Sequence, residues 1–141
     1  MDAALKKAID DNLAAVSAKQ LDAAVAGFAV DGVLIDPHYP VTRMVGREAI
    51  AAGLGWMFGA MRELNFEVDR YFGDGSEGGA IEVTSRHVLG NGRIVGLQQM
   101  FVIEARGGLI TRWQAYEPYG PHGIAGLIPR LARLRRGRSR G

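Results

Sequence analysis

The chain has 141 residues, of which 48% are hydrophobic and 23% are charged, and its formal net charge is +2 at pH 7. This length and composition predict one globular domain and exclude a disordered chain. The absence of cysteine excludes disulfides and thiolate metal sites. Charges occupy the N-terminus where a signal peptide needs an apolar stretch, so we expect a cytoplasmic protein without membrane insertion.

The hydrophobic spacing predicts three helices and one strand in the first half of the chain. The helices cover residues 3–18, 21–28 and 47–61, the strand covers residues 32–36, and residues 43–46 are predicted to form a loop. The period then changes to that of strands, at residues 64–72, 79–89, 93–105 and 109–116, separated by glycine-containing turns. The order ααβαββββ predicts an α+β fold in which helices cover one face of an antiparallel meander.

The last part of the chain differs from the rest in charge. Residues 1–122 are predicted to form the domain, and residues 123–141 an amphipathic helix followed by a basic tail. Six arginines and no acids lie between residues 129 and 141, so the preceding 128 residues hold 11 bases and 15 acids. Because the body is acidic and the tail lacks interleaved aromatic residues, we do not expect nucleic acid as a partner.

Four polar residues fall where the pattern calls for hydrocarbon. Asn12 lies on the apolar stripe of the first helix, and Asp36 shares a strand face with Leu34. His87 and Gln99 lie on the apolar faces of their strands. Burying an unpaired polar group costs about 1–3 kcal/mol, and a charge costs more. These residues are therefore expected either in a structural hydrogen-bond network or around a cavity.

Three segments resemble the nuclear transport factor 2-like superfamily, which includes ketosteroid isomerases, limonene-epoxide hydrolases and SnoaL-like polyketide cyclases. The segments read LDAAVAGFAVDGVLIDP at residues 21–37, VGREAI at 45–50 and GGLITRWQAYEP at 107–118. The resemblance extends over most of residues 5–118. It implies a cone, in which a curved antiparallel sheet wraps around helices and encloses a pocket, and a homodimer that pairs through the outer face of the sheet.

The resemblance to ketosteroid isomerases is specific at the pair Asp36-Pro37, which matches the general base of those enzymes. In ketosteroid isomerase an aspartate base works opposite an oxyanion hole made of a tyrosine and a protonated aspartate. Those two positions correspond to Asn12 and Gln99, whose amide groups can donate to an enolate oxygen. The resemblance therefore implies a cofactor-independent isomerase or cyclase in which Asp36 abstracts a proton beside a carbonyl group.

The residues alone leave two other functions open. The acid–base set of limonene-epoxide hydrolases is missing, because its positions correspond to Ala115, His87 and Ser85. A dehydratase or hydrolase that uses Asp36 with His87 is one alternative. The other is a non-catalytic protein that binds an apolar ligand in the pocket.

The expected ligand is a small apolar compound with a carbonyl group. The expected substrate-binding residues are His38, Tyr39, Met57, Phe58, Met61, Leu97, Phe101, Trp113 and Tyr116. Since Trp113 and Tyr116 lie on opposite faces of one strand, one of them could instead belong to the dimer interface. We expect no cofactor, and no metal because His38, His87 and His122 lack the spacing of metal ligands.

Overall fold

The computed structural model describes residues 1–117, so the predicted C-terminal helix and basic tail lie outside the described residues. The elements in chain order are α1 (Ala3–Ser17), α2 (Leu21–Ala26), β1 (Phe28–Ile35), β2 (Arg43–Val45), α3 (Arg47–Ala60), β3 (Met61–Glu63), β4 (Phe66–Phe72), β5 (Gly78–Leu89), β6 (Ile94–Arg106) and β7 (Leu109–Tyr116). The expected α+β fold, with a curved sheet around helices, is confirmed.

The strands form one sheet in the order β2-β1-β7-β6-β5-β3, and β4 also pairs with β5. The predicted antiparallel meander from β4 to β7 is confirmed. The sheet is mixed rather than antiparallel throughout, because β1 runs parallel to β7, with Leu34 opposite Trp113. Between β1 and β7 the chain passes through β2, α3 and the strands β3 to β6. Such a long connection permits parallel pairing.

The region around β1 differs from its prediction in three places. β1 begins at Phe28, four residues earlier than expected, and α2 ends before it. The segment predicted as a loop forms the short strand β2, which pairs with β1 and buries Met44. The guanidinium group of Arg47 donates to the carbonyl oxygen of Phe28 at 2.8 Å and so ties the start of α3 to the start of β1.

The core lies between the helices and the concave face of the sheet. α1 buries its apolar stripe, including Ile9 and Leu13, and begins where the side chain of Asp2 caps its first turn. β5 and β6 turn alternate residues inward, as the sequence predicts. Among residues 1–117, no helix is long and apolar enough to cross a membrane. The polar residues on the inward faces lie at one part of this core, described next.

Candidate functional site

A cavity of about 250 Å³ lies between α1, α3 and the inner face of the sheet. The four inward polar residues predicted from the sequence all line it. The polar lining consists of Asn12, Asp36, His38, Tyr39, His87 and Gln99. The rest of the lining is apolar, and it includes both tryptophans of the chain, Trp56 and Trp113.

The predicted substrate-binding residues divide into two groups. Those that line the cavity are His38, Tyr39, Met57, Met61, Leu97, Phe101 and Trp113. Phe58 and Tyr116 lie outside the lining. Phe58 is rotated away from Met57 around α3 and packs against the core, whereas Tyr116 is 48% exposed on the outer face of β7.

Asp36 follows the last residue of β1, where Pro37 turns the chain into a loop. Its Oδ1 accepts a hydrogen bond from the backbone N–H of His38 at 2.8 Å and lies 3.1 Å from Nδ1 of the same residue. The hydrogen bonds that residues 1–117 make to this carboxylate fall on Oδ1, which leaves Oδ2 for a ligand. Burial raises the pKa of Asp36, although the hydrogen bond from His38 opposes this.

Glu117 completes a chain of hydrogen bonds and was not predicted from the sequence. Its Oε1 lies 2.5 Å from Nδ1 of His38 and accepts from Nε2 of Gln99 at 2.9 Å. The hydroxyl of Ser85 in turn donates to Oε1 of Gln99 at 2.8 Å. The side chain of Glu117 is 1% exposed, and its Oε2 has no hydrogen-bond partner among the described residues.

The sequence does contain a signal for Glu117. Residues 113, 115 and 117 alternate onto the inner face of β7, but the predicted strand ended at residue 116. The nearest nitrogen and oxygen atoms of Asp36, His38 and Glu117 lie within 4.8 Å of one another, a set that could in principle ligate a metal ion. Their mutual hydrogen bonds account for this closeness without an ion.

His87 is buried beside the ring of Phe66, with the ring centroids 4.9 Å apart. Its Nδ1 accepts the backbone N–H of Asn65 at 3.3 Å, which assigns the ring proton to Nε2. Burial lowers the pKa of His87, and the nearby His38 adds to the effect. His87 is therefore a neutral hydrogen-bond donor at pH 7 rather than a cation.

Three further polar groups of the lining are each engaged with the protein. Nδ2 of Asn12 donates to the carbonyl oxygen of Ala24 at 2.7 Å, so one of its two N–H groups remains. Gln99 also has one N–H left after its bond to Glu117. The hydroxyl of Tyr39 donates to the sulfur of Met57 at 3.0 Å, and burial raises the pKa of Tyr39, so this hydroxyl keeps its proton.

Solved structures with the same fold include a ketosteroid isomerase. Δ5-3-Ketosteroid isomerase from Mycobacterium sp. is 21% identical, with a TM-score of 0.72 over 80% of this chain and 92% of that chain. An LEH-like epoxide hydrolase from Mycobacterium tuberculosis is 24% identical, with a TM-score of 0.68 over 81% of this chain and 77% of that chain. A third structure, from M. tuberculosis in complex with estradiol-17β-hemisuccinate, is 20% identical, with a TM-score of 0.72 over 82% and 94%.

At these identities, the similarities establish the fold and not the activity. No curated protein sequence matches the chain. The family profile of the SnoaL-like domain matches residues 9–113, which is most of the chain and includes the helices and strands around the cavity. The resemblance to the nuclear transport factor 2-like superfamily is thereby confirmed, and the chain belongs to the SnoaL-like domain family.

Proposed function

We propose that the protein is a cofactor-independent isomerase or cyclase that acts on a small apolar carbonyl compound, with Asp36 as its general base. The observation that carries this proposal is the position of one carboxylate in the lining of a cavity that is mostly apolar. Its Oδ1 is held by His38, and its Oδ2 is left for a proton from the ligand. Burial raises the basicity of this carboxylate, as a base near neutral pH requires.

The proposed reaction begins when Oδ2 of Asp36 takes a proton from the carbon beside the carbonyl group. The C–H electron pair moves into the enolate, whose oxygen accepts hydrogen bonds from the remaining N–H groups of Asn12 and Gln99. In an isomerase, Asp36 then returns the proton to another carbon of the ligand. In a cyclase, the enolate carbon attacks a second carbonyl group of the same ligand, and the alkoxide that forms takes the proton back from Asp36.

The contributions of the general base and of the oxyanion donors limit the rate enhancement that this site can reach. A positioned general base contributes about 10²–10⁴-fold, and one good oxyanion donor contributes about 2.7–4 kcal/mol. Neutral amides that also bond to the protein are weaker donors than an acidic hydroxyl group. We therefore infer a ligand with a fairly acidic C–H group, such as an enone or a β-dicarbonyl compound. The cavity of about 250 Å³ is slightly smaller than the usual ligand-site range of about 300–1,000 Å³, so we expect a small ligand.

The test is hydrogen–deuterium exchange at the α-carbon of ketones, enones and β-dicarbonyl compounds in D₂O, followed by mass spectrometry. We expect Asp36→Asn to lower the exchange rate about 10²–10⁴-fold. Asp31→Asn is the matched control, because Asp31 is an exposed aspartate on β1, the strand that Asp36 follows. Since Trp56 and Trp113 line the cavity, intrinsic fluorescence measures ligand binding separately. Equal exchange by wild type and Asp36→Asn would remove Asp36 from the reaction.

A second candidate is ligand binding without chemistry, which is favoured by the engagement of Asn12 and Gln99 with the protein. It predicts ligand-dependent fluorescence changes without exchange in any compound that binds. A dehydratase that uses Asp36 with His87 has less support, because a neutral imidazole is a weak acid. It predicts that His87→Ala lowers elimination of water at least as much as Asp36→Asn does.

We also propose that the protein forms a homodimer through the outer face of the sheet. Met100 and Tyr116 are partners across β6 and β7, and they are 38% and 48% exposed on that face. Light scattering would give the mass of wild type and of Tyr116→Lys. A dimer that Tyr116→Lys dissociates supports this interface, and a monomeric wild type rejects it. A cytoplasmic location stays a prediction.

A further inference from the structure

We propose that Glu117 is a positioning residue, which holds His38 against Asp36 and fixes the orientation of Gln99. This inference rests on the proposed function of Asp36, and it extends that function to a residue outside the cavity lining. Glu117 lies directly after β7, Asp36 lies directly after β1, and Gln99 lies within β6. One buried carboxylate therefore connects three separate parts of the chain at the polar end of the cavity.

The first step of the argument is the position of the His38 ring. Its Nδ1 lies 2.5 Å from Oε1 of Glu117 and 3.1 Å from Oδ1 of Asp36, so it lies between two carboxylates. The closer contact is with Glu117, whose side chain is buried, whereas the side chain of His38 is 39% exposed. The buried residue therefore fixes the ring, and the ring in turn contacts Asp36.

The second step concerns the rotation of the Asp36 carboxylate. The terminal torsion of an aspartate is broad and roughly two-fold, so rotation exchanges its two oxygen atoms. The contacts to the backbone N–H and to Nδ1 of His38 both fall on Oδ1, which fixes Oδ2 as the atom that meets the ligand. In Glu117→Met the ring loses its closest contact, so its contact to Oδ1 of Asp36 is less well defined and the orientation of the base relies more on the backbone N–H.

The third step concerns the Gln99 amide, which can donate or accept depending on its flip. An ionised carboxylate only accepts hydrogen bonds, so Glu117 requires that the NH₂ group of Gln99 face it. The carbonyl oxygen then faces Ser85, whose hydroxyl donates to it. The group that Gln99 keeps for a ligand is consequently an N–H donor, as an enolate oxygen requires.

The fourth step is the unpaired oxygen of Glu117. Its Oε2 is buried without a partner among residues 1–117, a state that lowers stability. A glutamate that serves stability alone would be expected to pair both of its oxygens. Removing Glu117 leaves the N–H of Gln99 and the ring of His38 without this acceptor, which also costs stability. Loss of Glu117 should therefore lower the free energy of unfolding as well as disturb the geometry of the site, and the split between kcat and KM separates the two effects.

The test compares Glu117→Met, which removes the acceptor, with Glu117→Gln, which keeps an acceptor oxygen of the same reach. For an exchanging ketone we expect Glu117→Met to lower kcat by up to about 100-fold, the effect of misplacing a catalytic group by about 1 Å. KM should stay within about twofold, because Glu117 does not line the cavity. Glu117→Gln should recover most of the lost kcat. Glu67→Gln, at an exposed position in β4, is the matched control.

A second readout does not depend on activity. An imidazole N–H that donates to a carboxylate gives a downfield resonance in the ¹H NMR spectrum, and we expect one from Nδ1 of His38, which lies 2.5 Å from Oε1 of Glu117. We expect this signal to disappear in Glu117→Met, to shift in Glu117→Gln and to persist in Glu67→Gln. The carboxylate ¹³C resonance of Asp36 should move in Glu117→Met alone.

Each outcome decides the proposal. A fall in kcat with constant KM and rescue by Glu117→Gln supports positioning, whereas a rise in KM at constant kcat overturns it. If the wild type exchanges none of the compounds, the proposed function fails and the NMR readout decides alone. A His38 N–H signal and an Asp36 resonance that are unchanged in Glu117→Met would then overturn the proposal, and their loss and shift would support it.

Discussion

The hydrogen-bonded chain from Ser85 through Gln99 to Glu117 makes a quantitative prediction about stability. Gln99→Met keeps the length of the side chain and removes both of its bonds. The bond to a charged acceptor contributes about 1.5–3 kcal/mol, and the neutral bond from Ser85 contributes about 0.5–1.5 kcal/mol. Allowing for the favourable burial of methionine, we expect a net loss of about 2–4 kcal/mol. For a chain of this size, this corresponds to a fall in Tm of about 8–16 °C.

Ser85→Ala tests the same chain from its other end. Ser85 is fully buried, and its substitution removes only the neutral bond and leaves Oε1 of Gln99 unpaired. We expect a loss of about 1–2 kcal/mol from this change alone. In the Gln99→Met background the hydroxyl of Ser85 already lacks its partner, so adding Ser85→Ala should be neutral or stabilising. The two changes should therefore be non-additive by about 1 kcal/mol or more.

Urea denaturation of the wild type, the two single variants and the double variant measures this cycle, and the m-value checks that unfolding stays two-state. Additive losses would refute the reasoning, because they would mean that Ser85 and Gln99 do not depend on each other. A Gln99→Met variant that loses no more stability than Ser85→Ala would refute the contribution assigned to Glu117. Either result would mean that Gln99 is an isolated polar residue in the core and not part of a coupled hydrogen-bond network.

Four other predictions concern the effect of pH and the substitution of glycines. Because burial raises the pKa of Asp36 above 3.8, α-carbon exchange should rise with pH through the folded-state pKa, as a pH–rate profile would record. The stability that a raised pKa contributes is fully present below the unfolded-state pKa near 3.8 and is lost as pH rises through the folded-state pKa. Asparagine does not titrate, so Asp36→Asn should gain stability over wild type across that pH window. Urea denaturation at several pH values measures this difference. Gly55→Ala should raise the free energy of unfolding by about 0.5–1 kcal/mol in urea, because a Cβ at this helical position meets nothing within 4 Å; an unchanged midpoint would contradict this. Gly27→Ala should lower the free energy of unfolding by about 1–3 kcal/mol. The new Cβ would lie 2.8 Å from Nδ2 of Asn12 and displace its hydrogen bond to Ala24. Wild-type stability in that variant would contradict this prediction.

The sequence predicts those parts of the fold that depend on the local periodicity of hydrophobic residues. The helices and the four strands of the meander follow from spacing and from turn residues. The pairing of β1 with β7 does not, because it joins residues about 80 positions apart and is decided by packing across the whole sheet. The short strands β2 and β3 also depend on partners that a local pattern does not contain.

The residues of the candidate site also divide into those that a local pattern predicts and those that depend on distant partners. Asn12, Asp36, His87 and Gln99 were found because each interrupts an apolar face, and they surround one cavity. Glu117 was missed because it lies one residue beyond the predicted end of its strand, although its alternation would have placed it inward. The contacts of His38 could not be predicted, because the ring lies in an irregular loop and its closer partner, Glu117, is distant in the sequence.

The polar end of the cavity is better explained as a site than as a structural network. A network that serves only the fold satisfies its members, since each unpaired buried group costs stability. Here, among residues 1–117, Oε2 of Glu117 is buried without a partner, the hydrogen bonds to Asp36 fall on Oδ1 alone, and Asn12 and Gln99 each keep one N–H. The groups left over comprise carboxylate acceptors and amide donors, and three of the four residues line the same apolar cavity. A ligand with an acidic C–H group and a carbonyl oxygen would use both kinds of group, whereas folding alone gives no reason to leave them unpaired.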